Sequence, residues 1–243
     1  MAIIKSFLLL CFLTIATNIS AKNIYVVCVG ISNYENIQSL RLPQEDAKAI
    51  SALYKAHTKN VSIITGRFAT KATILKRCED IFSKAQKGDM IVFSFSGHGF
   101  QGGLCPYDMK VDGANAIRYE DIQRIMRLSD ATQKIIIADA CYSGCLRIAP
   151  SSGSGNRNDS NVILFLSSRN GETSKESLFM KNGVFTTYLL QGLRGAADSN
   201  RDRKISAKEL FTFVSKNVKE KTDNKQHPVM WGNFDDNFTF IQW

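Results

Sequence analysis

Five short apolar runs, at 24–29, 61–64, 90–95, 134–138 and 161–166, set the tightest limit on what this chain can fold into. Most lack the apolar–polar alternation of a strand with one wet face. Continuous apolarity indicates burial on both faces, the habit of parallel strands covered by helices on each side. Between the runs the apolar period changes. Ala47, Ile50, Leu53 and Tyr54 share one helical face, and Ile74, Leu75, Cys78, Ile81, Phe82 and Ala85 share another. A crossover helix is predicted near 119–128, joining the third and fourth runs. This alternation reads as a βαβ wind. Beyond the fifth run the pattern is helical over 184–193 and 206–218, broken at Gly195, and the chain closes with an apolar stretch over 229–243. With 243 residues, 44% of them hydrophobic, one α/β domain around one good-sized core is expected.

The first 21 residues carry a separate message. Lys5 precedes an uncharged run over 7–16, and Ser20-Ala21 supplies small residues before a cut, so residues 1–21 read as a signal peptide. The run is short for a membrane span of about 20 residues, and Cys11 follows Leu10 rather than the small residue a lipid-attachment site wants. Export to a periplasm or beyond, without a stable membrane anchor, is the expectation. Five of the six cysteines then remain, an odd number that leaves at least one thiol unpaired in an oxidising compartment. Cys28 and Cys78 lie on apolar faces and read as packing residues. Cys105, Cys141 and Cys145 need another account. The net charge of +9 is spread over scattered Lys and Arg with no aromatic-interleaved stripe, so it reads as a solvated basic surface and not as a nucleic-acid site.

Ligands of open parallel sheets bind beyond the carboxyl ends of strands. Two of those ends are unusual here: the third run leads into Ser96-Gly97-His98-Gly99, and the fourth into Asp139-Ala140-Cys141-Tyr142-Ser143-Gly144. Each glycine-flanked turn would hold a reactive side chain at the sheet rim. A Cys and a His on neighbouring strand ends form a nucleophile with a proton-transfer partner, and the backbone N–H groups of Gly99 and Cys141 suit the oxyanion of a tetrahedral intermediate. Other chemistries fit less well. Cys141 and Cys145 are spaced C-x3-C and not C-x-x-C, zinc would want a fourth ligand beyond His98 and two thiols, and Ser94 breaks the G-x-S-x-G pattern around Ser96. His57 and His227 lack comparable company and read as surface or loop residues.

These motifs resemble the caspase-fold cysteine peptidases, in particular the bacterial metacaspase-like kind. Leu42-Pro43-Gln44-Glu45-Asp46-Ala47 is similar to the family's first conserved segment, with Pro43 where many metacaspases have a second cysteine. Gly183-Val184-Phe185-Thr186, Gly192-Leu193-Arg194-Gly195 and Gln226-His227-Pro228 resemble its small C-terminal part. The resemblance implies a three-layer sandwich: a mostly parallel six-stranded sheet, helices on both faces and an antiparallel sixth strand near the C-terminus. It divides residues 22–243 into a large part, 22–148, a Ser/Gly/Asn-rich loop, 149–161, and a small part, 162–243. It implies peptide-bond hydrolysis with Cys141 as nucleophile and His98 as its partner. The rival from another class is a catalytically silent caspase-fold protein that binds peptides or partners through the same pocket.

The resemblance also assigns a specificity pocket. Caspases that cut after Asp typically carry Gln two residues before the nucleophile, and here that residue is Asp139. In metacaspase-like relatives this Asp and one matching Asp46 line the pocket and pair with a basic substrate side chain, which implies cleavage after Arg or Lys in protein or peptide substrates. A partly buried carboxylate pair calls for a cation, and a guanidinium meets a carboxylate bidentately. The plainer reading of Asp46 is an acid favoured by a helix N-terminus. Relatives are often cut after the segment bearing the Cys, which points to Arg157 and Arg147 as self-processing sites. The mechanism requires no cofactor and no metal. A calcium reading attaches to Asp198, Asn200, Asp202 and Glu209, which have EF-hand spacing but Arg203 at the turn-glycine position, and to Asp108, Glu120 and Asp121 by looser resemblance. Ser206 and Glu209 also form a capping box that accounts for a helix start without an ion.

Overall fold

The computed structural model describes residues 23–140, 162–168, 181–234 and 238–243. In chain order the first half contains β1 (Ile24–Gly30), α1 (Pro43–Lys55), β2 (Val61–Thr65), α2 (Lys71–Phe82) and β3 (Met90–Ser96). Three two-residue strands follow, β4 (Gly99–Phe100), β5 (Gly103–Leu104) and β6 (Ile117–Arg118), then α3 (Tyr119–Arg127) and β7 (Gln133–Asp139). The second half holds β8 (Val162–Leu166), α4 (Val184–Gln191), β9 (Lys204–Ser206), α5 (Ala207–Lys221), β10 (Val229–Asn233) and β11 (Thr239–Gln242).

The five apolar runs became β1, β2, β3, β7 and β8. Together with β10 they form a six-stranded sheet in the order β10-β8-β7-β3-β1-β2. Every pairing is parallel except that of β10 with β8, so both the mostly parallel sheet and its antiparallel sixth strand are as expected. Side chains alternate between the faces even though the runs do not alternate in polarity. Val27, Val29, Phe93, Phe95 and Ile136 pack toward α2 and α3; Val26, Cys28, Val92, Ile135, Ile137 and Phe165 pack toward α1, α4 and α5. Both faces of the inner strands are dry, whereas Ile63 on the edge strand β2 is exposed, and this burial explains why the sequence of the inner strands is continuously apolar.

Two elements were not foreseen. β4, β5 and β6 make a small antiparallel sheet after the third strand, and β9 pairs with β11 in a separate ribbon. The break anticipated at Gly195 is a wide helical turn over Gly192–Ala196, in which Gly195 has φ of 111° and lies against Trp243. Cys28 and Cys78 are fully buried among apolar side chains, as predicted. Burial pushes the Cys28 thiol up to about 12 and the Cys78 thiol higher still, so both remain protonated and inert. No helix among the described residues is long and apolar enough to cross a membrane; the segment read as a signal peptide, 1–21, lies outside them.

Candidate functional site

The site is built where β1, β3 and β7 end level with one another. Gly30 pairs with Ser96, and Ser96 with Asp139. One residue further, Ile31 N–H donates to the Ser96 carbonyl at 3.1 Å and Gly97 N–H to the Asp139 carbonyl at 3.1 Å. The strand register thus places the turn bearing His98 beside Asp139. It also brings both next to the N-terminal turn of α1, where Pro43 opens the helix and Asp46 lies in the first turn.

Asp46 and Asp139 are both buried, at 2% and 8% exposure. Asp46 Oδ1 accepts hydrogen bonds from Asn182 Nδ2 at 2.9 Å and Gly183 N–H at 3.0 Å, and its Oδ2 accepts from Ser96 Oγ at 2.8 Å. Asp139 Oδ2 accepts from Thr186 Oγ1 at 2.9 Å. Burial pushes the Asp46 carboxyl up to about 7, and the neighbouring Asp139 charge pushes it the same way, against the hydrogen bonds from Asn182, Ser96 and Gly183 that favour the ionised form. Asp46 lies in the first turn of α1, as a helix dipole favours, and it also faces a second buried acid. Gly183 is the hinge of the arrangement. A Cβ there would lie 2.7 Å from Asp139 Oδ2 and 3.3 Å from Asp46 Oδ2, so glycine alone keeps open a space that both carboxylates face.

His98 is half-buried. Its Nε2 lies 2.8 Å from the backbone carbonyl of Gln38. A carbonyl only accepts, so Nε2 carries the proton and Nδ1 is the nitrogen that can take up another. The main chain of His98 is held on both sides: its N–H donates to Tyr34 Oη at 2.6 Å, and its carbonyl accepts from Cys105 N–H at 3.0 Å. The Cys105–His98 bond flanks the pairing of Gly99 with Leu104. That is the pattern of a non-hydrogen-bonded antiparallel pair, and it turns the Gly99 N–H away from β5.

Cys141 lies outside the described residues, as do Arg147 and Arg157. The residue before Cys141 is firmly held. Ala140 N–H donates to Ser167 Oγ at 3.2 Å, and its carbonyl accepts from Ser167 Oγ at 3.3 Å and Ser168 Oγ at 3.4 Å. Buried Gln226 donates from Nε2 to the Ser167 carbonyl at 2.9 Å. The strand ends thus bring the acid pair, the histidine and the held residue Ala140 into one region of the fold. A family model of the caspase domain matches residues 24–239. The chain belongs to the caspase domain family.

Solved structures agree on the fold. Caspase-1 from Spodoptera frugiperda has a TM-score of 0.69 at 16% identity, with 91% of this chain and 90% of that chain covered. A protein from Geobacter sulfurreducens has a TM-score of 0.65 at 15% identity, covering 88% of this chain and 94% of that one. At these identities the likeness is one of fold. No curated protein sequence matches the chain.

In this caspase domain the strand ends bring together Asp46, His98, Gly99 and Asp139, the residues singled out in the sequence, while most of what holds them was not anticipated. Ser96, Asn182, Gly183 and Thr186 surround the acids, while Tyr34 and Gln38 hold the histidine. A signal existed for three of them, because Ser96 opens one of the glycine-flanked turns and Gly183 and Thr186 belong to a motif already set apart by resemblance. The acidic segments with calcium-like spacing are engaged with protein groups. Asp121 Oδ2 pairs with Lys71 Nζ at 2.9 Å, and Asp108 accepts the Lys71 backbone N–H at 2.8 Å. Glu209 Oε1 accepts from Ser199 and its Oε2 from Ser206, completing the expected capping box. Burial acts to raise this carboxyl, but the serine hydrogen bonds outweigh it and hold it below the usual range. Among the described residues no group of three or more His, Cys, Asp or Glu side chains is arranged for a metal ion.

Proposed function

We propose that this caspase domain is a cysteine endopeptidase that cleaves after Arg or Lys, with Cys141 as nucleophile and His98 as its proton-transfer partner. The buried acid pair Asp46–Asp139, at the strand ends beside His98, carries the reading. Two carboxylates facing one space are costly without a cation. Among the described residues Asp46 Oδ2 accepts one hydrogen bond, from Ser96, and a carboxylate oxygen has room for a second. A guanidinium entering beside Gly183 would supply both the charge and the donors. Substrates are therefore proteins or peptides presenting basic residues. The signal segment adds the proposal that the enzyme works after export.

In the reaction the Cys141 thiolate attacks the scissile carbonyl, forming a carbon–sulfur bond while the carbonyl oxygen takes the negative charge. The N–H groups of Gly99 and Cys141 stabilise that oxyanion. As the carbon–nitrogen bond breaks, protonated His98 gives the Nδ1 proton to the leaving amine, Nε2 staying bonded to Gln38. Water, deprotonated by the same nitrogen, then hydrolyses the thioester. The chemistry needs no cofactor.

Fluorogenic peptides with Arg, Lys or Asp before the scissile bond provide the test, run on wild type beside Cys141→Ala. Turnover after Arg and Lys that disappears in the variant is expected. Equal turnover after Asp would refute the acidic-pocket argument, and peptide binding without turnover of any peptide would favour a silent binding protein.

A further inference from the structure

The connection between β1 and α1 grips His98 at two places, and only one of them is its ring. From this connection Gln38 offers the carbonyl that meets Nε2, while Tyr34, 9% exposed, takes the His98 backbone N–H on its hydroxyl oxygen at 2.6 Å. The two rings lie 5.0 Å apart between centroids, tilted by 44°. The contact has its own accommodation in the sequence. A Cβ on Gly97 would lie 2.5 Å from Tyr34 Oη and 3.1 Å from the Phe95 ring, so the glycine leaves the slot the hydroxyl fills. The connection is itself pinned: Leu40 N–H donates to the Ser32 carbonyl at 2.7 Å, Gln44 N–H to Ser32 Oγ at 3.2 Å and Glu35 N–H to the Tyr107 carbonyl at 3.2 Å.

We propose that Tyr34 is a positioning residue for His98: by holding the His98 N–H and packing against the imidazole, it keeps the ring on the Gln38 carbonyl and Nδ1 ready for the proton. The role in turnover rests on His98 being the proton-transfer partner of the peptidase proposed above. The hydroxyl also satisfies an amide directly ahead of Gly99, leaving the Gly99 N–H as the donor of this turn that is directed away from its hairpin. A backbone amide held by a side chain cannot swing toward substrate, and from that fixed backbone the Gln38 carbonyl and the Tyr34 ring set the orientation of the imidazole. Small displacements matter here, because a misplacement of about 1 Å at a catalytic group can cost on the order of 100-fold in rate.

The test uses the full chain labelled with nitrogen-15, as wild type and Tyr34→Phe. Long-range proton–nitrogen correlations report the tautomer of each of the three histidines, with His98 assigned by its loss in His98→Ala. In wild type a single tautomer protonated at Nε2 and a slowly exchanging His98 amide are expected. In Tyr34→Phe the amide should exchange at least about tenfold faster, the ring should populate both tautomers, and kcat should fall roughly 10- to 100-fold with KM within about twofold. A Tyr34→Phe protein that keeps the single tautomer, the protected amide and full kcat overturns the proposal. So does a wild-type His98 amide that exchanges like an open loop amide, a result that needs no variant. If the magnetic resonance behaves as expected while no peptide is turned over, the positioning contact stands and the peptidase reading falls.

Discussion

Asp46→Asn should make the protein more stable and less active on basic substrates, and the two effects should share one pH dependence. The substitution keeps the shape of the side chain. Its carbonyl oxygen can accept from Gly183 and Asn182, and its amide can donate to Ser96 Oγ once that hydroxyl rotates. What it removes is the ionisation. Burial and the Asp139 charge raise the Asp46 carboxyl from its ordinary 3.8 to about 7. In the unfolded chain the proton is lost near 4, and in the folded chain it is held to about pH 7. Over that window the unfolded state binds fewer protons, so folding stability falls as pH rises through it and levels off above. The full displacement corresponds to roughly 4 kcal/mol, a ceiling for what a neutral side chain can recover. For a chain of this length that ceiling corresponds to a rise in Tm of roughly 8 to 16 °C.

Thermal unfolding of both proteins between pH 4 and 8.5 measures this directly. The Tm difference should be small at pH 4, grow through pH 7 and stay constant above. Taking the difference cancels the titrations that the substitution leaves untouched and keeps those of Asp46 and of Asp139, whose charge acts on it. In parallel, kcat/KM after Arg should drop roughly 10- to 100-fold at pH 8, the range expected for a lost charged hydrogen bond. The ratio of wild type to variant should shrink as pH falls below about 7 and wild-type Asp46 takes up its proton. A pH-independent Tm difference, or a variant less stable than wild type at pH 8, would refute the argument that Asp46 is a strained buried acid awaiting a cation.

Gly183→Ala places a methyl group 2.7 Å from Asp139 Oδ2; turnover after Arg should fall at least about 100-fold, with Cys141 still alkylated by iodoacetamide at the wild-type rate. Loss of alkylation as well would mean that the nucleophile, and not the pocket, had been disturbed. Self-processing after Arg157 should yield fragments 22–157 and 158–243 that copurify, since β7 and β8 are paired in one sheet. Intact mass decides: Cys141→Ala should stay whole, and equal cleavage in both proteins would point to another protease.

The sheet was legible because burial on both faces writes itself into every residue of a strand, and the five apolar runs needed no partner information to be recognised. The acids and the histidine were legible for a different reason, since strand ends and glycine-flanked turns are local features. Their supporting groups were not, because each reaches its target across the fold. Gly183 meets Asp46 over a sequence separation of 137 residues, and Tyr34 meets the His98 amide over 64. No periodicity or local spacing encodes such a meeting; it exists only once β1 and β3 stand side by side and α4 is docked on α1. The two-residue strands β4, β5 and β6 escaped for the opposite reason, being too short to show a period of any kind. Their effect at the site is nonetheless specific. By pairing Gly99 with Leu104 in the non-hydrogen-bonded register, β5 directs the Gly99 N–H outward, so the donor proposed for the oxyanion acquires a direction from a hairpin that the sequence did not reveal.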